Sequence, residues 1–465
     1  MAEKLTSLKP IPALRAALSR EELRSRGRAL RDNVSRRSHA DWHVSSNRQD
    51  PVALLIESNK GRIPQLIPIR YGRMMQSPFA FFRGAASIMA ADLASTPTSD
   101  IYVQACGDCH LMNFGGYATR ERRIVFDIND FDETLPSPWE WDIKRLAASF
   151  VIAGRHNGFK ISEARKAAVS CVQSYREHMQ AYSEKKVLEI WYERIDAEAL
   201  IASMNSRTWK KSVQDRIAKE SARTIFEDEF PKMASVKNGK VSIKDNPPLI
   251  FHQSTLGFAE YLQTIRKAFR RYRETLTDDL KSLLDHYEIK DIAWKVAGVG
   301  SVGTRCGILL MMAGDDDAFF LQAKEARRSV LEPYAGKSKY QNCGQRVVAG
   351  QRLMQSASDM FLGWTEERGS HFYVRQIRDI KIKPHVELYD APIMALYAGW
   401  CGWALARAHA KTGSAAMISG YLGNISKFDE AIASFAVKYA DQNERDYQDF
   451  LKAIHAGKIE VCEGQ

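Results

Sequence analysis

The sequence has no run of 18 apolar residues, so we predict no transmembrane helix and no membrane partner. Its first residues, Met-Ala-Glu-Lys-Leu-Thr-Ser-Leu-Lys, lack the apolar core of a signal peptide. The chain of 465 residues has seven cysteines, an odd number that does not favour a disulfide framework. We find no internal repeat and no low-complexity segment. Together these absences predict a cytoplasmic protein with reduced thiols.

What remains is an ordinary globular composition with an excess of positive charge. Apolar residues make up 45% of the chain, charged residues 26%, and the formal net charge is +11. This charge predicts an anionic partner, and we favour a nucleotide over nucleic acid, which the charge alone leaves open. Residues 1–60 are predicted to form a basic, helical and loosely packed arm. Its arginines include Arg24, Arg26, Arg28, Arg31, Arg36 and Arg37.

The segment 101–142 contains two short apolar strands that each run into polar side chains. Asp108 and Asn113 follow the first strand, and Asp130 and Asp132 follow the second. Carboxylate and amide oxygens at the ends of rigid strands suit a hard cation such as Mg²⁺ held against a phosphate. The pattern therefore predicts a metal site.

Other interpretations of the same residues compete with this one. Residues 106–110 match C-x-x-C-H, the haem attachment pattern, which we reject because it requires export. A redox or zinc site at Cys106 and Cys109 stays open, although no second cysteine pair lies at ligand spacing. His110 is either a catalytic residue or a hydrogen-bonding member of the loop, and Asp132 is either a metal ligand or a turn residue.

A second motif, G-x-G-x-x-G, lies nearly 200 residues further along the chain and is weak by itself. Strand-like segments at 292–299 and 306–313 flank it. The dinucleotide-binding version of the motif needs a helix afterwards, whereas a glycine loop between antiparallel strands is the kinase arrangement that covers ATP phosphates. The cofactor-binding residues predicted here are Gly298, Gly300, Ser301 and Gly303.

The next predicted strand, 319–323, leads directly into Lys324. A buried lysine is costly unless it is paired. We favour a lysine that binds the α- and β-phosphates of ATP, and the alternative is a strand-end lysine that extends into solvent. Arg83, on a helix predicted from Ser77 to Leu93, is a further candidate for the polar site, with a surface arginine as the alternative.

Gly107-Asp-x-His-x-x-Asn113, with Asn129-Asp130-Phe and Pro138-x-x-x-Asp142, resembles the aminoglycoside and choline phosphotransferase branch of the kinase-like superfamily. The resemblance implies that Asp108 is the catalytic base and places His110 beside it in the catalytic group. It implies that Asn113 and Asp130, with Asp132, bind Mg²⁺. Asp142 is implied to brace the loop by accepting its backbone N–H groups.

The chain as a whole is similar to a bacterial family known as domain of unknown function 2252. The family name implies no activity. The segments that carry this similarity are Phe82-Arg-Gly-Ala, Gly107-Asp-Cys-His-Leu-Met-Asn-Phe-Gly, Phe126-Asp-Ile-Asn-Asp-Phe-Asp-Glu, Gly298-Val-Gly-Ser-Val-Gly-Thr-Arg, Gly350-Gln-Arg-Leu-Met-Gln and Ala406-Arg-Ala-His-Ala.

The kinase-like resemblance implies an α+β, two-lobed fold, but here the glycine loop follows the catalytic loop instead of preceding it. Circular permutation explains this order. A kinase lysine normally pairs with a Glu on the next helix, yet the helix predicted at 344–358 has no acid, so Glu332 or Gln351 is expected to substitute. The predicted domains are the arm 1–60, a large helical lobe 61–290, a small β-rich nucleotide-binding lobe 291–383, and C-terminal helices 384–465 that complete the large lobe.

These patterns predict a phosphotransferase that uses ATP and Mg²⁺ and acts on a hydroxyl group of an unknown acceptor. A nucleotidyl transferase with ATP bound in reverse is a related alternative. A nucleotide-binding regulator without turnover is a second class, and a nucleic-acid-binding protein, favoured only by the charge, is a third.

Overall fold

The computed structural model describes residues 18–221, 230–237, 240–252, 258–296, 298–314, 316–377 and 380–462. The chain is a mixed α+β protein with antiparallel sheets. Its α-helices are Arg20–Asn33, Pro51–Glu57, Ile67–Met75, Pro78–Gly84, Ala86–Leu93, Trp139–His156, Ile161–Glu184, Val187–Tyr192, Ala197–Ala202, Arg207–Ser221, Phe230–Met233, Phe258–Arg273, Asp278–Leu284, Glu332–Ala335, Cys343–Met354, Ala391–Thr412, Ala415–Leu422 and Lys427–His455. Short 3₁₀ helices span Arg36–Ala40, Pro64–Leu66, Leu111–Asn113 and Val386–Leu388.

The strands are short in the first half of the chain and longer in the second half. In chain order they are β1 (Tyr102–Ala105), β2 (Phe114–Ala118), β3 (Ile124–Ile128), β4 (Leu135–Pro138), β5 (Ala234–Lys237), β6 (Lys240–Ile243), β7 (Ile250–Phe251), β8 (Glu288–Lys295), β9 (Cys306–Ala313), β10 (Asp317–Ala326), β11 (Gly363–Glu367), β12 (Ser370–Gln376) and β13 (Lys381–Ile382). The strand predicted at 306–313 has exactly the bounds of β9, whereas the strand predicted at 292–299 begins and ends four residues earlier, as β8.

Six strands form one antiparallel sheet in the order β11-β12-β10-β9-β8-β7. The glycine loop joins β8 to β9, which pair antiparallel, as the sequence predicts. Lys324 lies on β10, where its neighbours across the sheet are Cys306 on β9 and Tyr373 on β12. This register holds the lysine between two paired strands.

The polar residues of segment 101–142 lie in the loops that follow β1 and β3, and these strands belong to two smaller sheets. β1 pairs with β4, and β3 pairs with β2, which in turn pairs with β13. β5 and β6 form the predicted hairpin with Val236 opposite Val241, and its Asn-Gly turn lies outside the described residues.

One apolar core is built from helices that come before the six-stranded sheet in the sequence and helices that come after it. The helices Trp139–His156 and Ile161–Glu184 pack with Ala391–Thr412 and Lys427–His455. A Cβ on Gly402 would lie 2.1 Å from the carbonyl oxygen of Cys171, so glycine permits this close approach. Helices from the two ends of the sequence therefore pack together, and they support one surface of the cleft described below.

The expectation that the N-terminal arm is loosely packed is wrong for its described part. Arg31 Nε donates a hydrogen bond of 2.8 Å to the carbonyl oxygen of Tyr421. The buried guanidinium of Arg48 pairs with both Asp92 and Asp446. Basic residues in this segment are therefore structural contacts as well as surface charge.

The single helix predicted from Ser77 to Leu93 is also wrong, because Ala85 leaves helical geometry (φ −109°, ψ 34°) and divides it. Two buried arginines donate hydrogen bonds to backbone carbonyl groups near the break. Arg145 Nη2 donates to the carbonyl oxygen of Phe82 at 3.1 Å, and Arg70 Nη2 donates to that of Gly84 at 3.0 Å. Since these partners are distant in sequence, a local pattern does not reveal them.

Candidate active site

The loop that follows β1 depends on a glycine and a buried carboxylate. Gly107 has φ +84°, and a Cβ there would lie 2.4 Å from the carbonyl oxygen of Glu133, so a larger residue would be strained and would clash. Asp142 accepts hydrogen bonds from the backbone N–H groups of Cys106 at 2.7 Å and Gly107 at 3.0 Å. Its Oδ2 also lies 3.2 Å from Nε2 of His409. The start of the loop is therefore fixed to the helix Trp139–His156.

Asp108 lies at the edge of the cleft, with its side chain 24% exposed. Its Oδ1 accepts a hydrogen bond of 2.7 Å from Nε of the buried Arg145. The sequence analysis did not identify Arg145. The signal was its position three residues after Asp142, since residues at that spacing share one face of a helix.

His110 is buried beside this carboxylate, and its Nε2 lies 3.9 Å from Asp108 Oδ2, which is too long for a hydrogen bond. Burial, followed by the positive charges of Arg83 and Arg145, lowers its pKa well below the usual value. His110 is therefore a neutral imidazole in this geometry. Its Nδ1 has no hydrogen-bond partner in the described part of the chain.

Asn113 and Asp130 present oxygen atoms to the same space. Asn113 Nδ2 donates to the backbone oxygen of Asp108 at 2.7 Å, and Asp130 Oδ1 accepts from the backbone N–H of Asp132 at 3.1 Å. Burial and the neighbouring Asp132 charge raise the pKa of Asp130, and a divalent cation would relieve both effects. This donor set fits a hard cation such as Mg²⁺.

The buried Lys324 and the partly exposed Asp132 form an ion pair across 192 positions of sequence. The other Asp132 oxygen accepts a hydrogen bond of 2.7 Å from the hydroxyl of Tyr373, and Asp130 Oδ2 lies 4.0 Å from Lys324 Nζ. Burial alone would lower the pKa of Lys324, but the charge of Asp132, with Tyr373 and Asp130, raises it well above its usual value.

This pairing corrects the expected partner of the lysine, because neither Glu332 nor Gln351 is its partner. Both oxygens of Asp132 are engaged by Lys324 and Tyr373. Asn113 and Asp130 are therefore the better candidates for metal ligands. The acid that the helix Cys343–Met354 lacks is supplied from the segment that follows β3.

The glycine loop packs against the segment around residues 58–83. Gly298 and Gly303 have φ values of +74° and +88°, which favour glycine. Arg73 Nη1 donates to the carbonyl oxygen of Gly298 at 2.5 Å, and the backbone N–H of Ile63 donates to that of Gly303 at 2.8 Å. These contacts hold the loop over the polar residues.

Two adjoining cavities make up the cleft. The lysine cavity, about 370 Å³, includes Lys324, Gln322 and Arg375 in its lining. The arginine cavity, about 360 Å³, is lined by Asp108, His110, Asn113 and Asp132 and by the arginines considered below. Both cavities are also lined by Asp130, Gly298 and Ser301. Most of the predicted site residues thus meet in one cleft. Two do not line it: Gly303 packs behind the glycine loop against Arg62, and Asp142 lies beneath the loop after β1 and accepts hydrogen bonds from its N–H groups.

The cysteine pair lies directly beneath the loop. Ligand atoms of Cys106, Cys109 and Asp142 lie within 4.8 Å of one another, and all three residues are buried. Burial raises the pKa of Cys109 to about 12, so the thiol is protonated at neutral pH. This pair is a packing element in the structure, and its zinc or redox alternative gains no further ligand among the described residues.

With the cleft described, comparison of the sequence with known families places the chain. The model of the family DUF2252, described as an uncharacterized protein conserved in bacteria, matches residues 62–453, and the chain belongs to this family. No match was found among the curated proteins or the solved structures. Of the helices in the described part of the chain, none combines the length and apolar character needed to cross a membrane.

Proposed function

We propose that this protein is an ATP- and Mg²⁺-dependent phosphotransferase with a circularly permuted, kinase-like fold, acting on a hydroxyl group of its acceptor. The observation that carries the proposal is the meeting of two distant segments. Lys324 and the glycine loop face Asp108, Asn113 and Asp130 in one cleft. This is the set of groups that phosphoryl transfer requires.

The order of elements around the lysine supports the kinase-like interpretation. Counting from the strand before the glycine loop, Lys324 lies on the third strand, and the one-turn helix Glu332–Ala335 and then the helix Cys343–Met354 follow. Kinases place the lysine on their third strand and its acidic partner on the next helix. Here Asp132 takes the place of that acid. The lysine is still paired with a carboxylate, but the carboxylate comes from a different segment of the chain.

In the proposed reaction the acceptor hydroxyl oxygen forms a bond to the γ-phosphorus of ATP. The bond from that phosphorus to the oxygen bridging the β-phosphate breaks, ADP leaves, and the hydroxyl proton passes to Asp108. Lys324 and the backbone N–H groups of the glycine loop bind phosphate oxygens. Mg²⁺ held by Asn113 and Asp130 supplies neutralisation of phosphate charge.

ADP release from MgATP, with cell extract metabolites as acceptors, tests the proposal. Wild type should release ADP, and Asp108→Asn should do so about 10²–10⁴-fold more slowly while it still binds nucleotide, because the variant loses only the proton acceptor. Lys452→Gln, an exposed substitution distant from the cleft in sequence and contacts, is the matched control. Equal rates in wild type and Asp108→Asn would contradict the assignment.

A nucleotide-binding regulator without turnover is the second candidate, and one observation favours it. Arg145 is paired with Asp108, the residue that would have to accept a proton. The Asp108 Oδ1 oxygen already accepts a hydrogen bond from Arg145 before any acceptor hydroxyl arrives. MgATP binding to wild type with no ADP release from any extract would select this function.

A further inference from the structure

The arginine cavity is lined by five arginines, and most of the carboxylates in the same lining pair with basic side chains outside it. The cavity lies on the Asp108 side of the cleft, and Gly298, Val299, Gly300, Ser301 and Thr304 of the glycine loop also line it. Its volume of about 360 Å³ is the size of a small-molecule site. The arginines in its lining are Arg62, Arg70, Arg83, Arg327 and Arg328.

None of these arginines pairs with a carboxylate in the described ranges, and those with hydrogen bonds donate them to neutral oxygens. Arg62 donates to a carbonyl oxygen at 2.5 Å and to another at 3.1 Å. Arg70 donates to an amide oxygen at 2.6 Å and a carbonyl oxygen at 3.0 Å. The accepting residues, including those of Arg327, are Ser58, Asn59, Lys60, Gly84 and Val302.

The acids that line the same cavity are engaged by other groups. Asp108 pairs with Arg145, and Asp132 pairs with Lys324. Glu57 pairs with Lys60, Glu325 pairs with Arg305, and Glu133 accepts the backbone N–H of Val330. Asp130, the remaining acid, lies beside Lys324. None of these ion pairs includes one of the five arginines, although Glu133 and Glu325 attract Arg62, and Asp108 attracts Arg83, at longer range.

Burial of the arginines is the main source of their electrostatic cost. Burial, followed by the charges of Arg70 and Arg327 and partly offset by Glu133 and Glu325, lowers the pKa of Arg62 to about 9. Burial lowers the pKa of Arg70 to about 10. Arginine does not lose its proton readily, so the cavity stores unfavourable charge that a bound anion would remove.

Arg83 is the arginine best placed to act near the reacting atoms. It lies in the short helix Pro78–Gly84, next to Phe82, whose carbonyl oxygen accepts a hydrogen bond from Arg145. The Arg83 guanidinium and the Asp108 carboxylate attract each other. Its Nε is buried and has no hydrogen-bond partner among the residues that the structure describes. A buried donor without a partner costs free energy that a ligand oxygen would recover.

We propose that the arginine cavity binds the acceptor and that the acceptor is a small hydroxylated molecule carrying a phosphate or carboxylate group. The transfer role rests on the proposed phosphotransferase function, whereas the anion site rests on the cavity itself. Guanidinium groups bind the oxygens of phosphate and carboxylate in a bidentate manner, and several around one cavity fit one anionic group. The hydroxyl of such a molecule would then lie on the Asp108 side.

Calorimetric titration of three related probes tests this inference in protein saturated with Mg²⁺ and a non-hydrolysable ATP analogue. Glycerol 3-phosphate, glycerate and glycerol share hydroxyl groups and differ in the anion. At least one anionic probe should bind ten times more tightly than glycerol, and whichever binds more tightly identifies phosphate or carboxylate. Arg83→Gln should weaken that probe about tenfold or more, since a charged hydrogen bond is lost.

Two further variants keep the test interpretable. Arg83→Lys retains the charge and should have intermediate affinity, and Arg26→Gln, which changes an exposed arginine, should leave it unchanged. Anionic probes that bind no better than glycerol, or bind equally to Arg83→Gln, would overturn the inference. If Arg83→Gln weakened the ATP analogue as much as the probe, the arginines would belong to the nucleotide and the inference would also fall.

Repeating the titration without nucleotide separates this inference from the proposed function. Arg83-dependent binding of an anionic probe to a protein that does not bind the ATP analogue would retain the anion site and overturn the phosphotransferase. Normal binding of the analogue without Arg83-dependent anion binding would do the opposite.

Discussion

Lys324 in the lysine cavity and Arg83 in the arginine cavity differ in how their charges are compensated. Lys324 is paired with Asp132, which Tyr373 also holds. Arg83 has no carboxylate partner within the described ranges, and its Nε has no partner at all. The comparison suggests two roles: a cation held in position before any ligand arrives, and a cation that a ligand must compensate.

The largest effect is expected from breaking the paired side. Lys324→Met leaves the Asp132 carboxylate without its cation, and removing one partner of a buried pair costs about 3–5 kcal/mol. Because Asp132 is partly exposed, we expect about 3 kcal/mol in urea unfolding. The double variant Lys324→Met, Asp132→Asn should recover most of this loss. No recovery in the double variant would show that the pair is not what holds Lys324.

Removing a metal ligand should have the next largest effect. Saturating MgATP at 100 times its Kd stabilises a protein by about 2.7 kcal/mol, so the melting temperature of wild type should rise. Asp130→Asn should lose most of that Mg²⁺-dependent rise. Asp278→Asn, which changes an exposed aspartate, serves as control. A full response of Asp130→Asn to MgATP would remove Asp130 from the metal site.

A matched pair of arginine substitutions tests the comparison around one carboxylate, Asp108. Arg145→Gln breaks the contact with Asp108 and should destabilise the fold by about 1.5–3 kcal/mol, since a charged hydrogen bond is lost. Arg83→Gln removes an unpaired charge and should change stability by less than about 0.5 kcal/mol or increase it. Urea unfolding of both variants measures the difference, and equal losses would contradict the division into paired and unpaired cations.

The smallest effect is expected in the pH dependence of stability, and it comes from His39, a buried base that, unlike arginine, can lose its proton. His39 is fully buried beside Tyr421, and burial, then the charge of Lys144, lowers its pKa well below 6.5. The unfolded chain therefore binds the extra proton, and stability falls as pH falls below about 6.5. His39→Phe should flatten this slope, which is at most about 1.4 kcal/mol per pH unit for one proton. An unchanged slope between pH 6.5 and 5 would show that His39 takes up its proton to the same extent in the folded and unfolded states.

Local pattern was enough for the elements that carry the site. The bounds of β9 and the glycine loop between paired strands follow from periodicity and turn residues, which are near in sequence and whose side-chain spacing is fixed by the backbone. The contact of Asp142 with the loop N–H groups joins residues about 36 positions apart, and it was expected only from the kinase-like resemblance.

Contacts between distant segments were not predictable in the same way. Arg145, the partner of Asp108, and Asp132, the partner of Lys324, are ordinary charged residues in the sequence until the fold brings them together. The arginine cavity draws on Arg62 and Arg327, which lie 265 positions apart, so no window of sequence contains it. The break at Ala85 has the same cause, since buried arginines from elsewhere bind the helix carbonyl groups.

A crystal structure of the protein with Mg²⁺ and a non-hydrolysable ATP analogue tests the central claim most directly. The account predicts the phosphates between the glycine loop and Lys324, with the cation bound by Asn113 and Asp130 and the γ-phosphate facing Asp108. A nucleotide bound elsewhere, or in the cleft with its γ-phosphate away from Asp108, would contradict it.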